Sequence, residues 1–333
     1  MSRPGDASAS RVAEGAALGV RLREGDSGAA AAALNLIEDR SVGGREASRA
    51  LLEEVSPRVL GGEAGGHLIG VTGPPGAGKS SLLSALVASW RDAGRSVAVL
   101  AVDPSSKRSG GSLLGDRARI EHDPGDDGVL IRSTAAGTRL GGLAAPTREA
   151  ATALAPVFDV VVIETVGVGQ SETDVAEVAD TVAVVVQPGS GDTLQFLKAG
   201  IMEVPDVLVV TKADLGDTAV RAKRDLATAL SALGSRGTPV LSVSSVPPPQ
   251  GIDELSAALD AHRVTVDLPT ARARARRLTA LADFIAEHGE RGLRSLGGRR
   301  SATRLLDNEG AALGVPALVS VLERRARSSS LQL

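Results

Sequence analysis

The residues best placed to do chemistry begin at Gly73-Pro-Pro-Gly-Ala-Gly78-Lys79-Ser80, which follows the apolar run HLIGVT and opens an amphipathic stretch. A G-x-x-x-x-G-K-S spacing between a strand and a helix is a loop for holding phosphate. Its glycines let backbone N–H groups turn inward, and the helix behind them adds the positive end of its dipole. Gly73, Pro74, Pro75, Gly76, Ala77, Gly78, Lys79, Ser80 and Ser81 are therefore the candidate cradle. Lys79 is expected to carry its ammonium to the β- and γ-phosphates from an exposed loop, and the Ser80 hydroxyl to ligate Mg²⁺. Lysine usage sharpens the point: of 37 Lys and Arg residues only Lys79, Lys107, Lys198, Lys212 and Lys223 are lysines. A chain that uses arginine for surface cations keeps lysine where a compact ammonium is needed.

Three further groups could complete a nucleotide site. The run DVVVIE ends in Glu164-Thr-Val-Gly167, which puts a carboxylate at the carboxyl end of a strand where a second Mg²⁺-organising acid belongs. The run SVAVLAVD ends in Asp103 and leads through a Gly/Ser-rich segment to Asp116, a pattern for a switch that closes over metal and γ-phosphate. Asp103 and Asp116 are candidates for metal coordination or for orienting the attacking water, and either could equally be an ordinary loop aspartate. The run DVLVVTKAD ends in Thr211-Lys212-Ala-Asp214. A carboxylate there accepts from guanine N1–H and the exocyclic amine, which adenine cannot offer, while the lysine stem covers the ring. GTP and GDP are thus expected rather than adenine nucleotides. Ser244, Ser245 and Val246, after the run PVLSV, are expected to bring a backbone N–H to guanine O6.

These residues need a scaffold, and the 333-residue chain has one written in its patterning. Seven Val/Ile/Leu-rich runs of strand length alternate with helix-like segments at 79–93, 147–156, 192–202, 217–233 and 251–262. Several runs are continuously apolar, as strands buried on both faces of a parallel sheet must be. The expected fold is α/β, a three-layer P-loop domain with ligands at the carboxyl ends of the strands. Residues 1–60 read as a helical N-terminal arm, 61–265 as the nucleotide domain and 266–333 as a C-terminal helical segment. Its basic run Arg272, Arg274, Arg276 and Arg277 reads as a solvated helix face or a subunit contact.

Composition excludes other classes. With aromatic residues at 1% and a net charge of −3, neither base stacking nor counterion release has the groups it needs, so nucleic acid is not expected as a partner. Zero cysteines exclude disulfides, thiolate metal sites and a cysteine nucleophile. His67, His122, His262 and His288 are dispersed and read as core or solvated residues. No run of roughly 18 apolar residues occurs, so no membrane span is expected, and with no apolar signal core at the N-terminus a cytoplasmic location is.

The runs GVTGPPGAGKSSL, AVDPSSKRSGGSLLGDRARI, VVIETVGVGQSETDVAEVADT and QPGSGDTLQFLKAGIMEVPDVLVVTKAD together resemble the MeaB/ArgK/MMAA family over about residues 30–262. These are P-loop GTPases of the SIMIBI class that serve as chaperones of adenosylcobalamin-dependent methylmalonyl-CoA mutase. The resemblance implies a Mg²⁺-dependent GTPase with Ser80, Asp103, Asp116 and Glu164 in the metal and catalytic region. It also implies a mutase-responsive third switch from Gln187 to Lys198, an adenosylcobalamin-dependent acyl-CoA mutase as partner, and a homodimer formed through the C-terminal helices. The chain departs from the family in having Thr211 for the usual Asn, Lys107-Arg108 and Arg117-Ala118 in the first switch, and no histidine before its Leu-Gly-Gly. Asp260-Ala-His262 lacks the glycine of a cobalamin-ligating motif at Thr265, which excludes direct ligation by this chain. Two alternatives remain at this stage, a small-molecule P-loop kinase, which would need an acceptor pocket, and a nickel-insertion GTPase of the same class, which would need His/Cys clusters.

Overall fold

The computed structural model describes residues 4–103, 120–135, 143–165, 171–189, 205–235 and 237–330. Asp116, Lys107, Lys198, Gly167 and the helix expected at 192–202 lie outside them.

The chain divides into two compact units. One, made of Gly66–Thr147 and Phe158–Val266, contains the sheet. Strands β1 (His67–Thr72), β2 (Val97–Asp103), β3 (Val129–Ala135), β4 (Val160–Glu164), β5 (Thr181–Val186), β6 (Val207–Val210) and β7 (Val240–Ser242) are the seven apolar runs. They form one sheet in the order β3-β2-β4-β1-β5-β6-β7, every pair parallel. Residues alternate between its faces. Ala183, Val185, Val207 and Val209 pack with Leu82, Leu86 and Trp90 of the helix Lys79–Asp92 and Leu255 and Leu259 of the helix Ile252–Thr265. Val182, Val184, Val186, Leu208 and Val210 turn the other way, onto Leu226 and Leu230 of the helix Asp217–Ala232. Burial on both faces explains why these strands are continuously apolar rather than alternating. Trp90 spans the first layer and donates its indole N–H to Ser256 Oγ at 2.8 Å.

β1 lies between β4 and β5, so the order of strands reverses about the strand that leads into the phosphate loop. In open parallel sheets the crevice outside the carboxyl ends at such a reversal is where ligands bind.

The second unit is helical and comprises Met1–Gly65, Arg148–Val157 and Asp267–Leu333. The helices Pro4–Arg23 and Val42–Glu54 approach so closely that a Cβ on Gly15 would lie 2.1 Å from the Ala47 carbonyl oxygen, and one on Gly19 would lie 2.6 Å from that of Leu51. Its core gathers Leu281, Phe284, Leu293, Leu306, Leu318 and Leu322. Here the sequence reading of the basic run needs correction: Arg272 and Arg276 are only 6% and 8% exposed. Arg276 forks onto both carboxylate oxygens of Glu63 at 2.8 Å and reaches the Ala311 carbonyl at 2.6 Å, while Arg272 donates to the Ala64 carbonyl at 2.6 Å. These guanidiniums tie the end of the N-terminal segment to the long helix Leu268–Ser295 from the inside, because a planar fork can satisfy a carboxylate and a carbonyl at once.

Among the described residues, no helix is long and apolar enough to cross a membrane.

Candidate functional site

The phosphate loop leaves β1 at Thr72 and ends at the helix Lys79–Asp92. Three of its residues need left-handed backbone, Gly73 (φ 145°), Gly76 (φ 76°) and Gly78 (φ 87°), which glycine alone adopts freely. Gly73 has a second reason: a Cβ there would fall 1.9 Å from the Val185 carbonyl oxygen on the neighbouring strand. Among the described residues no side chain caps the helix, so its first-turn N–H groups remain directed at the loop. Ala77 and Lys79 are buried, Pro75, Gly76 and Ser81 exposed.

Lys79 is 8% exposed, so the expectation of an ammonium carried on an exposed loop is corrected. Its Nζ donates to the carbonyls of Gly73 at 2.7 Å and Pro74 at 3.2 Å. The ammonium is thereby held inside the curve of the loop, because the helix that carries it starts immediately at Lys79. Beside it, Ser80 Oγ donates to Glu164 Oε1 at 3.2 Å. The pairing of β1 with β4 accounts for this meeting of residues 84 apart: Val71 is level with Glu164, and the Thr165 N–H returns to the Val71 carbonyl at 2.9 Å. Glu164 is 8% exposed. Asp103 ends β2, where its backbone pairs with Ala135; its side chain, like Asp116, lies outside the described residues.

The residues expected to read guanine cluster beyond the ends of β6 and β7. Thr211 sends its hydroxyl to the Ala77 carbonyl at 2.6 Å and to the Val186 carbonyl at 3.0 Å, joining this motif to the phosphate loop. Lys212 has φ 56° and is the only non-glycine with left-handed backbone among the described residues, a conformation that costs an L-residue about 1–2 kcal/mol. Asp214 is exposed, and its Oδ1 accepts from the buried Ser244 hydroxyl at 2.8 Å. The same oxygen of Ser244 accepts from the Val246 N–H at 3.2 Å, while the Ser244 N–H goes to Gln250 at 3.0 Å. Ser244 thus orients the carboxylate, and Ser245 supplies the amide of the three that carries no bond among the described residues.

Two relationships were missed in the sequence, the Thr211–Ala77 bond and one between Lys212 Nζ and Gln187 Oε1 at 2.6 Å. Both join residues that follow different strands, whose neighbourhood only the sheet order sets. His67 is a core residue: it is fully buried, its Nε2 is 2.9 Å from Thr181 Oγ1, and burial pushes its pKa down to about 4. His288 lies with Glu287 and Glu323, but Arg49 already bridges the two glutamates at 3.2 and 3.5 Å.

The family described as Methylmalonyl Co-A mutase-associated GTPase MeaB matches residues 30–291. A Caulobacter vibrioides protein described as a GTPase is 44% identical over 259 residues, covering 76% of this chain and 78% of that one. A methylmalonic aciduria type A homolog, mitochondrial, of Caenorhabditis elegans is 39% identical over 220 residues, 64% of this chain and 55% of its own length. A crystal structure described as LAO/AO transport system kinase superposes with a TM-score of 0.63 at 27% identity, over 97% of this chain and 96% of that one. The chain belongs to the MeaB family of methylmalonyl-CoA mutase-associated GTPases, and its activity is the hydrolysis of GTP.

Proposed function

We propose that this GTPase is a Mg²⁺-dependent switch and chaperone that gates cofactor loading and protection of an adenosylcobalamin-dependent methylmalonyl-CoA-type mutase. The observation that carries this reading is the match of residues 30–291 to mutase-associated GTPases, supported by the Thr211 hydroxyl bonded to the phosphate loop and the Asp214 carboxylate held by Ser244.

Ser80 Oγ and Glu164 Oε1, 3.2 Å apart beside the loop, are the hard oxygen donors that Mg²⁺ takes, so the residues fit the ion. Ser80 and Glu164 would hold it, with Asp103 and Asp116 as the remaining candidates. Bound there, Mg²⁺ would supply charge neutralisation at the β- and γ-phosphate oxygens.

Everything else falls to the chain's own groups. Lys79 exchanges the Gly73 and Pro74 carbonyls for phosphate oxygens, placing a positive charge where negative charge builds during transfer. The N–H groups of the loop and of the first helical turn add to it without reorganisation. Asp214, oriented by Ser244, accepts from guanine N1–H and N2, and the Ser245 N–H serves O6. No arginine is fixed beside the phosphate loop among the described residues, and unassisted hydrolysis is slow. The C-terminal helices pair two copies of the chain.

The test is retention. Immobilised protein loaded with GTP or GDP is offered the mutase, and the bound fraction is measured. Retention that depends on the nucleotide supports the reading; equal retention in both states, or none, contradicts it.

A further inference from the structure

β5 and β6 end side by side, with Val186 level with Val210. Thr211 follows β6 and sends its N–H and its hydroxyl to the Val186 carbonyl, at 2.9 and 3.0 Å. On the far side of Lys212, the Ala213 N–H donates to the Val243 carbonyl at 3.0 Å. Lys212 is thus bracketed by the bonds of its two neighbours, to the end of β5 and to the residue that follows β7, and turns left-handed between them. Its side chain emerges beside the end of β5, where its Nζ donates to Gln187 Oε1 at 2.6 Å. Gln187 is half-buried, whereas Lys212 is exposed.

We propose that Gln187 is a positioning residue for nucleotide recognition, holding the Lys212 stem along the face on which the guanine ring lies. The proposal rests on the reading of Lys212 and Asp214 as the base-recognition pair. A lysine side chain is long and rotamer-rich, and an exposed one loses that freedom when it lies against a ligand. An acceptor that fixes its ammonium in advance lowers this cost, which is preorganisation in the ordinary sense. The stem meets the face of the ring, which all purines share, whereas Asp214 reads the edge. Gln187 therefore strengthens binding of guanine and hypoxanthine nucleotides alike and does not choose between them.

The experiment is equilibrium titration of the full chain with GDP, IDP and ADP, for wild type, Gln187→Leu and Gln187→Glu. Leucine keeps the bulk and removes the acceptor; glutamate keeps an acceptor at the same reach. A charge-assisted bond at a half-exposed site predicts that Gln187→Leu weakens GDP and IDP binding by the same factor, about three- to tenfold, and that Gln187→Glu restores both. Wild-type affinity in Gln187→Leu, failure of glutamate to restore it, or a loss confined to GDP would each overturn the proposal while leaving the guanine assignment standing. ADP binding as tight as GDP binding in the wild type would overturn the guanine assignment, and the proposal with it.

Discussion

The Thr211 hydroxyl lies 2.6 Å from the carbonyl oxygen of Ala77, so the residue that opens the Thr211-Lys212-Ala213-Asp214 motif is bonded to the centre of the phosphate loop. β1 and β6 are separated in the sheet by β5, and this one hydroxyl bridges the gap between their ends. The Thr211–Asp214 motif and the phosphate loop are therefore mechanically one unit.

Thr211→Val keeps the shape and leaves the buried Ala77 carbonyl without this donor. The expected cost is about 1–3 kcal/mol of stability, with a parallel loss of GTP affinity. Thermal unfolding and nucleotide titration of the same preparation measure both. A variant as stable and as tight-binding as wild type would show that the bond is incidental.

Lys79→Ala should abolish tight triphosphate binding, and Lys79→Arg should not recover it. Lys79 is 8% exposed and folded against two backbone carbonyls, so the bulkier planar guanidinium has no room to present its charge inside the loop. GTP binding and turnover of the two variants decide this; near-normal hydrolysis by Lys79→Arg would contradict it.

Asp214→Asn should exchange guanine for xanthine. The amide offers a donor where xanthine presents a carbonyl, and it can no longer accept both guanine donors. Competition of GTP, XTP and ATP for the variant and the wild type is the measurement. If ATP competes equally with GTP in the wild type, Asp214 does not read the base.

Two buried groups give opposite pH dependences. Burial raises the Glu149 carboxyl from 4.5 to about 7, against the opposing pull of Arg40, which lies 3.6 Å away. The folded chain holds this proton more tightly than the unfolded one, so stability from this site is present below pH 4.5 and is lost as pH rises towards 7. Burial lowers His67 from 6.5 to about 4, so the unfolded chain binds its proton more tightly and stability is lost as pH falls through that window. Between pH 4.5 and 6.5 the two effects oppose each other, so denaturant unfolding across pH 4 to 8 should show Glu149→Gln steepening the rise of stability with pH through that window. An unchanged profile would remove Glu149 from the account.

The seven strands and the loop at 73–80 were legible because burial on both faces and phosphate binding each impose a local pattern. Glu164 closes one apolar run and Asp214 stands four residues beyond another, and the sequence reading selects both because the carboxyl end of a strand is where a parallel sheet presents its side chains to a ligand. What escaped was whatever depends on which strands become neighbours. Thr211 and Ala77 are 134 residues apart, and nothing in the spacing announces that a hydroxyl will meet that carbonyl. Gln187 follows a strand like several other polar residues; only the β5–β6 register sets it beside Lys212. Arg272 and Arg276 read in the sequence as part of a solvated helix face or a subunit contact because arginine is usually exposed, whereas Glu63 and the carbonyls of residues 64 and 311 give them partners inside the helical unit.

The central claim is that the nucleotide cycle answers to a mutase. It is tested most directly by GTP turnover with and without adenosylcobalamin-dependent methylmalonyl-CoA mutase, for wild type and for Lys198→Ala, a lysine the family resemblance assigns to the partner-responsive switch. The account predicts that the mutase accelerates turnover in the wild type and that this acceleration is blunted in Lys198→Ala. Turnover indifferent to the mutase would contradict the proposed function, and equal acceleration of both proteins would contradict the role given to Lys198.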